Sequence, residues 1–399
     1  MEETTAEVLE ERRTTPVELL WDLVFVFAIT QVTTLLWRDL TWAGFGRAML
    51  VLALVWWAWS AFVWAANAQS ATSPTLRVCL LVASVAIFIS GLSIPHAFGS
   101  EAPLFALTYA TVRFLHLALY ADASRKGNAE WSAIAGFALT VAVGMALLIA
   151  GSLTTGAARI VLWLAAAAID YAGPAWLTRE RLRGIQRVAV AHFAERYSLF
   201  VIICLGESIV AIGVGALGPT AERPLNAELV MAVAVGLLIT IAMWWTYFEG
   251  IAEIAAARLR RHDDPVLAAA DGYSYLHLVI VAGIITFAVG VRILTRGAIG
   301  TALPDPARLA LCGGVALYLA GAAAFALRMV GRVEYEKLVV ALALLALYAI
   351  GGGIAAMAVA IVVAGLLGAL CVAESETARR VMSGRRREAS STASERMTG

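Results

Sequence analysis

The sequence predicts an all-α fold: a polytopic transmembrane helical bundle of about 12 spans, arranged as two parallel six-helix repeats. Composition is the first observation behind this. Of 399 residues, 61% are hydrophobic and 15% charged, with a mean hydropathy of +0.81, whereas soluble domains run near half apolar and about a quarter charged. The second is the recurrence, along the whole chain, of apolar runs approaching or exceeding the roughly 18 residues that read as a membrane span. The third is that these runs lack period-two alternation. A backbone in hydrocarbon satisfies its hydrogen bonds only as a helix or a closed barrel, so the runs are helices.

The same arithmetic excludes a disordered chain, a disulfide scaffold and a nucleic-acid binder, because net charge is +1 and no domain is basic. Cys79, Cys204, Cys312 and Cys371 lie far apart inside apolar runs, where buried packing is their expected role.

Taken in order, the first span is 18–37. It follows an acidic opening with no basic n-region and no small-residue cleavage site, so it is expected to be retained rather than removed as a signal peptide. The second, 43–66, carries Trp56, Trp57, Trp59 and Trp64. Lining a cavity for an apolar or cyclic ligand is one use for these rings; packing against lipid is the expected one. The third to sixth spans are 76–98, 102–121, 131–153 and 157–177. The seventh to tenth are 193–217, 227–248, 273–295 and 307–328. Glu249 and Glu253, four apart at the end of the eighth, read as a solvated face, and the lone His277 of the ninth reads as structural. The last two spans, 335–351 and 354–373, are joined only by Gly351-Gly352-Gly353. Trp37, Trp42 and Trp131 fall at helix ends, as interfacial anchors do.

Orientation follows from Lys and Arg in the loops. With the N-terminus inside, 22 of the 30 lie on the cytoplasmic side and 7 on the other, Arg113 being within a helix. Both termini are therefore expected in the cytoplasm. A single helix over 335–373 would strand Arg379, Arg380, Arg385, Arg386 and Arg387 on the wrong face, which favours twelve spans over eleven. The Arg385–Arg387 cluster fits both a topology determinant and a contact with anionic headgroups.

The chain also reads as duplicated. Glu18-Leu-Leu-Trp-Asp-Leu-Val-Phe-Val-Phe resembles Glu195-Arg-Tyr-Ser-Leu-Phe-Val-Ile-Ile-Cys; Trp56-Trp57 has a counterpart in Trp244-Trp245, and Pro103 in Pro306. Six spans per half insert both halves the same way up, a plan found in several transporter folds. The expected divisions are an N-terminal tail (1–16), a first repeat (17–178), a basic cytoplasmic linker (179–191), a second repeat (192–374) and a disordered C-terminal tail (375–399).

A charge near the bilayer centre costs about 2.5–3.5 kcal/mol on insertion scales, so each one needs a partner or a water-filled cavity. Counting about 1.5 Å of rise per residue, Arg113, Asp170 and Glu207 all reach the midplane. Tyr109, Arg113, His116 and Tyr120 recur at helical spacing and form one stripe, which should face the bundle interior. Arg113 is expected to pair with Glu207, Asp170 or both. Two acids against one arginine leave one carboxylate to exchange a proton, with His116 nearby, which describes a midplane binding site or proton relay. The same groups fit a buried ion pair that only fixes helix packing. Glu18 and Asp22, four apart in the first turns of the first span, fit an acidic entrance or simple interfacial solvation; Thr30 and Gln31 lie further up the same helix. Glu195-Arg196 and His192 open the seventh span, where a first-turn carboxylate is favourable on dipole grounds alone.

Several chemistries have no residues to carry them. There is no HExxH, paired-His spacing, GxSxG elbow or Walker loop, so neither a metal nor a cofactor is expected. Lys126 and Lys337, the only lysines, sit near helix ends, so no amine is expected at mid-membrane for a retinal Schiff base. No spaced-arginine sensor or TVGYG-like filter is present.

Two strings carry a family resemblance. Val17-Glu-Leu-Leu-Trp-Asp-Leu-Val-Phe-Val-Phe-Ala-Ile-Thr-Gln31 resembles the opening motif of the bacterial low temperature requirement A family, and His192-Phe-Ala-Glu-Arg-Tyr-Ser-Leu-Phe-Val-Ile-Ile-Cys-Leu-Gly-Glu-Ser208 is similar to its second signature. The resemblance covers about residues 12 to 375. It marks Glu18, Asp22, Glu195, Arg196, Gly206, Glu207 and Ser208 as motif positions. The family usually has a second aromatic where this chain has Leu20, and Phe-Gly where it has Tyr197-Ser198, departures that touch packing and leave the acids intact. The family name records a growth phenotype in the cold and gives no reaction. A multi-pass bacterial inner-membrane protein is implied, with the lipid bilayer as its partner.

Three functions are compatible with these observations. The first is an ion-coupled secondary transporter with a midplane site formed by Arg113, His116, Asp170, Glu207 and Ser208, approached past Asp22 and Gln31, for an unidentified small molecule or ion. The second is a non-catalytic membrane protein supporting growth in the cold. The third is an integral membrane enzyme acting on a lipid or prenyl-like substrate, with Asp22, Asp170 and Glu207 as candidate general acids.

Overall fold

The computed structural model describes residues 14–69, 73–125, 131–173, 189–218, 224–297 and 300–375. The expected N-terminal tail, the basic linker and the C-terminal tail with Arg385–Arg387 lie almost wholly outside them. Twelve helices run through the described residues: α1 (Pro16–Arg38), α2 (Trp42–Ala68), α3 (Pro74–Ser93), α4 (Ala102–Arg125), α5 (Trp131–Ser152), α6 (Gly156–Ala172), α7 (Val190–Leu217), α8 (Ala227–Leu259), α9 (Pro265–Arg296), α10 (Asp305–Val330), α11 (Tyr335–Ile350) and α12 (Ala356–Ser375). Eleven are long and apolar enough to cross a membrane, α11 when taken with its terminal turn to Gly353; α6, at 17 residues, is the exception, its described length ending where residues 174–188 begin. No strand occurs among the described residues, only an isolated antiparallel bridge between Ala302 and Ala355. Exposed apolar side chains such as Val78, Val85, Val339, Leu342 and Val372 give this multi-pass membrane protein its contact with the bilayer.

Helix ends are set by local chemistry. Thr15 caps α1, with its N–H and hydroxyl both donating to Glu18 Oε2 at 2.8 Å and Pro16 in the first turn. Thr41, Ser73, Asn226 and Asp264 accept the N–H three residues on, opening α2, α3, α8 and α9. Gly331, at φ +74, closes α10 in the left-handed region. Two helices carry π-helical turns, Phe248–Ala252 in α8 and Ala270–Leu276 in α9, of the kind often found at functional sites.

In the first half, α1 packs on α2 and α3, α3 on α4, α4 on α5 and α5 on α6; in the second, α7 packs on α8 and α9, α9 on α10 and α10 on α11. The two halves meet where α1 and α2 touch α7 and α9. The closest approach is between α9 and α10: a Cβ at Gly283 or Gly314 would collide with the partner helix's main chain, so small residues let these backbones touch.

The Gly351–Gly353 segment is a short 3₁₀ turn between two separate helices. At this end Ala356 N–H donates to Thr301 O at 2.8 Å; at the other, Lys337 Nζ donates to Glu374 Oε1 at 2.6 Å. Thus α11 and α12 form an antiparallel hairpin, as expected from the arginines beyond it.

The tryptophans of α2 overturn one expectation. Trp56, Trp57, Trp59 and Trp64 are buried and do not face lipid. Trp56 and Trp64 donate to Ser274 O and Oγ at 2.7 and 2.9 Å, and Trp57 stacks on Tyr171 with centroids 4.0 Å apart. Buried indole N–H groups need acceptors, and in α2, the most enclosed span, those of Trp56, Trp59 and Trp64 find them on the neighbouring helices. Trp244 and Trp245, by contrast, are about one-third exposed.

Candidate functional site

Helices α1 and α7 run parallel and in register. Their side-chain contacts join residues 174, 174 and 177 positions apart: Glu18 with His192, Asp22 with Arg196, and Thr30 with Glu207. The seam between them holds most of the residues singled out from the sequence.

At its first level, Glu18 and Asp22 share one face of α1 and meet His192 and Arg196, likewise four apart on α7. Arg196 Nη2 donates to Asp22 Oδ1 at 2.6 Å and Nη1 lies 3.4 Å from Glu18 Oε1; His192 Nε2 lies 3.2 Å from the same Glu18 oxygen. Trp59 Nε1 donates to Asp22 Oδ1 at 2.7 Å. All five side chains are enclosed. Glu18 and Asp22 are therefore neither an acidic entrance nor solvated residues. Depth along α1 places them near its end, but α7 and α2 cover them laterally. Glu195 is exposed, but α7 begins at Val190, so this carboxylate stands in the second turn and not in the first, where the dipole argument expected it.

At the second level, Thr30 Oγ1 donates to Glu207 Oε2 at 2.5 Å. Glu207 is only 4% exposed and makes no salt bridge among the described residues. Ser208 beside it is fully buried, and Gln31 is half-buried on α1. A Cβ at Gly206 would meet nothing, so packing does not require glycine there. Arg292 of α9 acts on Glu207 electrostatically and lies over the Trp37 ring, 4.6 Å from its centroid. Arg292 was not singled out from the sequence, because a basic residue near the end of a span reads as interfacial. Trp37 was identified only as an anchor.

A further charged group lies among the first six helices. Arg113 Nη2 donates to Asp170 Oδ1 at 2.6 Å, both side chains being enclosed between α4 and α6. His116 Nδ1 lies 3.4 Å from Arg113 Nη1. Tyr109, Arg113, His116 and Tyr120 are all buried, so the stripe faces inward as expected. The expected pairing resolves to Asp170 alone. Glu207 projects from α7 onto α1, so the three midplane charges do not form one cluster.

His277 is a packing residue. Tyr247 OH lies 2.7 Å from its Nε2 and Gly272 O 3.0 Å from its Nδ1, and its ring stacks on Tyr273. No group of acidic, His or Cys side chains among the described residues is placed to hold a metal ion.

Residues 13–372 match the family described as bacterial low temperature requirement A protein. The chain belongs to this family. It is 30% identical over 282 residues to an uncharacterized protein of Rhizobium meliloti (strain 1021), covering 68% of this chain and 67% of that protein. No solved structure matches. In this low temperature requirement A protein, the two strings that carried the resemblance are the two sides of one seam, α1 and α7. Of their polar positions, Glu18, Asp22, Arg196, Glu207 and Ser208 are buried and Glu195 is not.

Proposed function

We propose that this low temperature requirement A protein is an ion-coupled secondary transporter in which Glu207 is the exchangeable carboxylate. One observation carries the reading: Glu207 is buried within a span and held by the hydroxyl of Thr30 rather than by a salt bridge. A buried ionisable group in a membrane bundle is a functional-site hypothesis by default. A carboxylate held by a hydroxyl can take up or release a proton without breaking an ion pair. Arg113 with Asp170, and Arg196 with Asp22 and Glu18, are ion pairs whose role in this reading is to fix α4 on α6 and α7 on α1.

Glu207 also stands where the two halves meet, the place at which alternating access exposes a site to either side when repeats rock. The shared packing order of the halves and the parallel register of α1 and α7 support two parallel repeats. In this reading the two repeats have diverged at their second helices, where Trp56-Trp57 is buried and Trp244-Trp245 is about one-third exposed. The excess of Lys and Arg on one side supports cytoplasmic termini.

The test is proton movement into liposomes loaded with a pH-sensitive dye, under an imposed membrane potential, with and without a pooled metabolite extract outside. Wild-type protein is expected to move protons only with the extract, and Glu207→Gln, equally well folded, to move none. Extract-dependent movement in Glu207→Gln at the wild-type rate, or no response to any fraction in the wild type, overturns the reading.

A further inference from the structure

The outer part of the same seam holds a second group that the coupling reading leaves unexplained. Arg292 lies four residues before Arg296, the last residue of α9. The helix dipole favours a cation in the last turn and fades beyond it, which accounts for Arg296 better than for Arg292. A guanidinium inside a span ordinarily finds a carboxylate. Arg292 has neither a hydrogen bond nor a salt bridge among the described residues, and its Nε is buried without a partner.

The placement of Arg292 follows from the helices around it. Gly215 lets α7 close on α9: a Cβ there would meet Arg292 O and Thr295 Oγ1. On α1, Thr30 and Trp37 are seven residues apart and share a face. Thr30 holds Glu207, while the Trp37 ring lies under Arg292 at 4.6 Å and under Arg296 at 5.3 Å. Helical side chains lean back toward their own N-terminus, so Arg292 reaches from the end of the bundle toward Glu207. The stack running inward from that end is Arg296 and Trp37, then Arg292, then Glu207 with Thr30. A guanidinium over an aromatic face keeps N–H groups for the oxygens of an oxyanion.

We propose that Arg292, seated on Trp37 beside Arg296, is the recognition point for an oxyanion, a carboxylate or phosphate group, bound next to Glu207. This rests on the coupling reading and names the class of solute it would carry. While Glu207 is ionised, its charge offsets that of Arg292. Once Glu207 is protonated, Arg292 faces the anion with its full charge, so anion and proton bind together. Linkage makes this reciprocal: the anion must draw a proton onto the protein.

The experiment is calorimetric titration of the full chain in phosphatidylcholine nanodiscs with inorganic phosphate and with succinate, in two buffers of different ionisation heat so that proton uptake is counted. Saturable binding of at least one anion with uptake of about one proton is expected. Arg292→Gln should weaken it by roughly tenfold or more, with Arg292→Lys, equally monodisperse, in between. Glu207→Gln should still bind the anion but take up no proton. Wild-type affinity in Arg292→Gln overturns the anion site and leaves the Glu207 reading standing. Unchanged proton uptake in Glu207→Gln overturns the coupling role and leaves the anion site standing. A parallel set in phosphatidylglycerol nanodiscs separates the sources. If neither soluble anion binds, but phosphatidylglycerol is retained by the wild type and lost by Arg292→Gln in native mass spectra, the oxyanion is a lipid headgroup. If no anion and no lipid distinguishes the two proteins, the proposal fails.

Discussion

Arg196 Nη2 of α7 lies 2.6 Å from Asp22 Oδ1 of α1, and neither side chain is more than marginally exposed. Removing one partner of a buried pair leaves an uncompensated charge, at a cost of about 3–5 kcal/mol, whereas replacing both with apolar groups is often neutral. Asp22→Ala and Arg196→Ala are each expected to lower the thermal midpoint in detergent sharply; because Arg196 also faces Glu18, most of the loss is recovered only when that acid is neutralised too, in Glu18→Gln/Asp22→Leu/Arg196→Met. A wild-type midpoint in Asp22→Ala would show that the pair does not hold the seam.

The separation of Arg113–Asp170 from Glu207 makes a second prediction. Sites with no shared partners add within about 0.3–0.5 kcal/mol, while members of one network couple more strongly. Asp170→Asn and Glu207→Gln should therefore be additive in unfolding stability, and Asp170→Asn with Arg113→Gln should not. A coupling energy above about 1 kcal/mol between Asp170 and Glu207 would restore a single midplane triad.

Thr30 offers a test that leaves Glu207 in place. Thr30→Ser keeps a hydroxyl for Glu207 Oε2 and should behave as wild type in stability and in extract-dependent proton movement. Thr30→Val keeps the shape and deletes the donor, at about 1–3 kcal/mol for a buried acceptor left unmade, and should displace the pH dependence of proton movement. Identical pH profiles in Thr30→Val and wild type would remove Thr30 from the site.

The α11–α12 hairpin is open to cross-linking. Ala302 and Ala355 face each other in an antiparallel bridge, a geometry that holds Cα atoms about 4.5–5.5 Å apart, within reach of a disulfide. Ala302→Cys with Ala355→Cys, in a background lacking the four native cysteines, should oxidise readily in intact membranes, and an impermeant maleimide should label both from one side only. No disulfide, with the cysteine at 355 labelled from neither side, would mean that 335–373 crosses once.

The inward face of the α4 stripe was legible in the residues, because 3.6-residue periodicity and hydropathy act within one segment. The order and number of the helices were legible for the same reason, down to the two flanking Gly351–Gly353, but not all their ends: α8 runs on to Leu259 and α9 begins at Pro265, where 248 and 273 were expected, because polar residues there are carried on helix that hydropathy alone does not mark. What lies opposite a given face was not. Glu18 and Asp22 looked interfacial because sequence gives depth along a helix but not the neighbour that covers it. Trp56 to Trp64 looked lipid-facing because an apolar ring suits lipid and core equally until an acceptor such as Ser274 O is placed beside it. The choice of Asp170 over Glu207 for Arg113, and the meeting of Arg292 with Trp37 and Glu207, join segments far apart in the chain. By itself the sequence determined the helices, their likeness to one family and which stripe is polar, since burying apolar length in lipid depends on local composition. The tertiary structure decided the partners, since a charge inside a membrane is tolerated only where packing brings a particular group within a few ångströms of it.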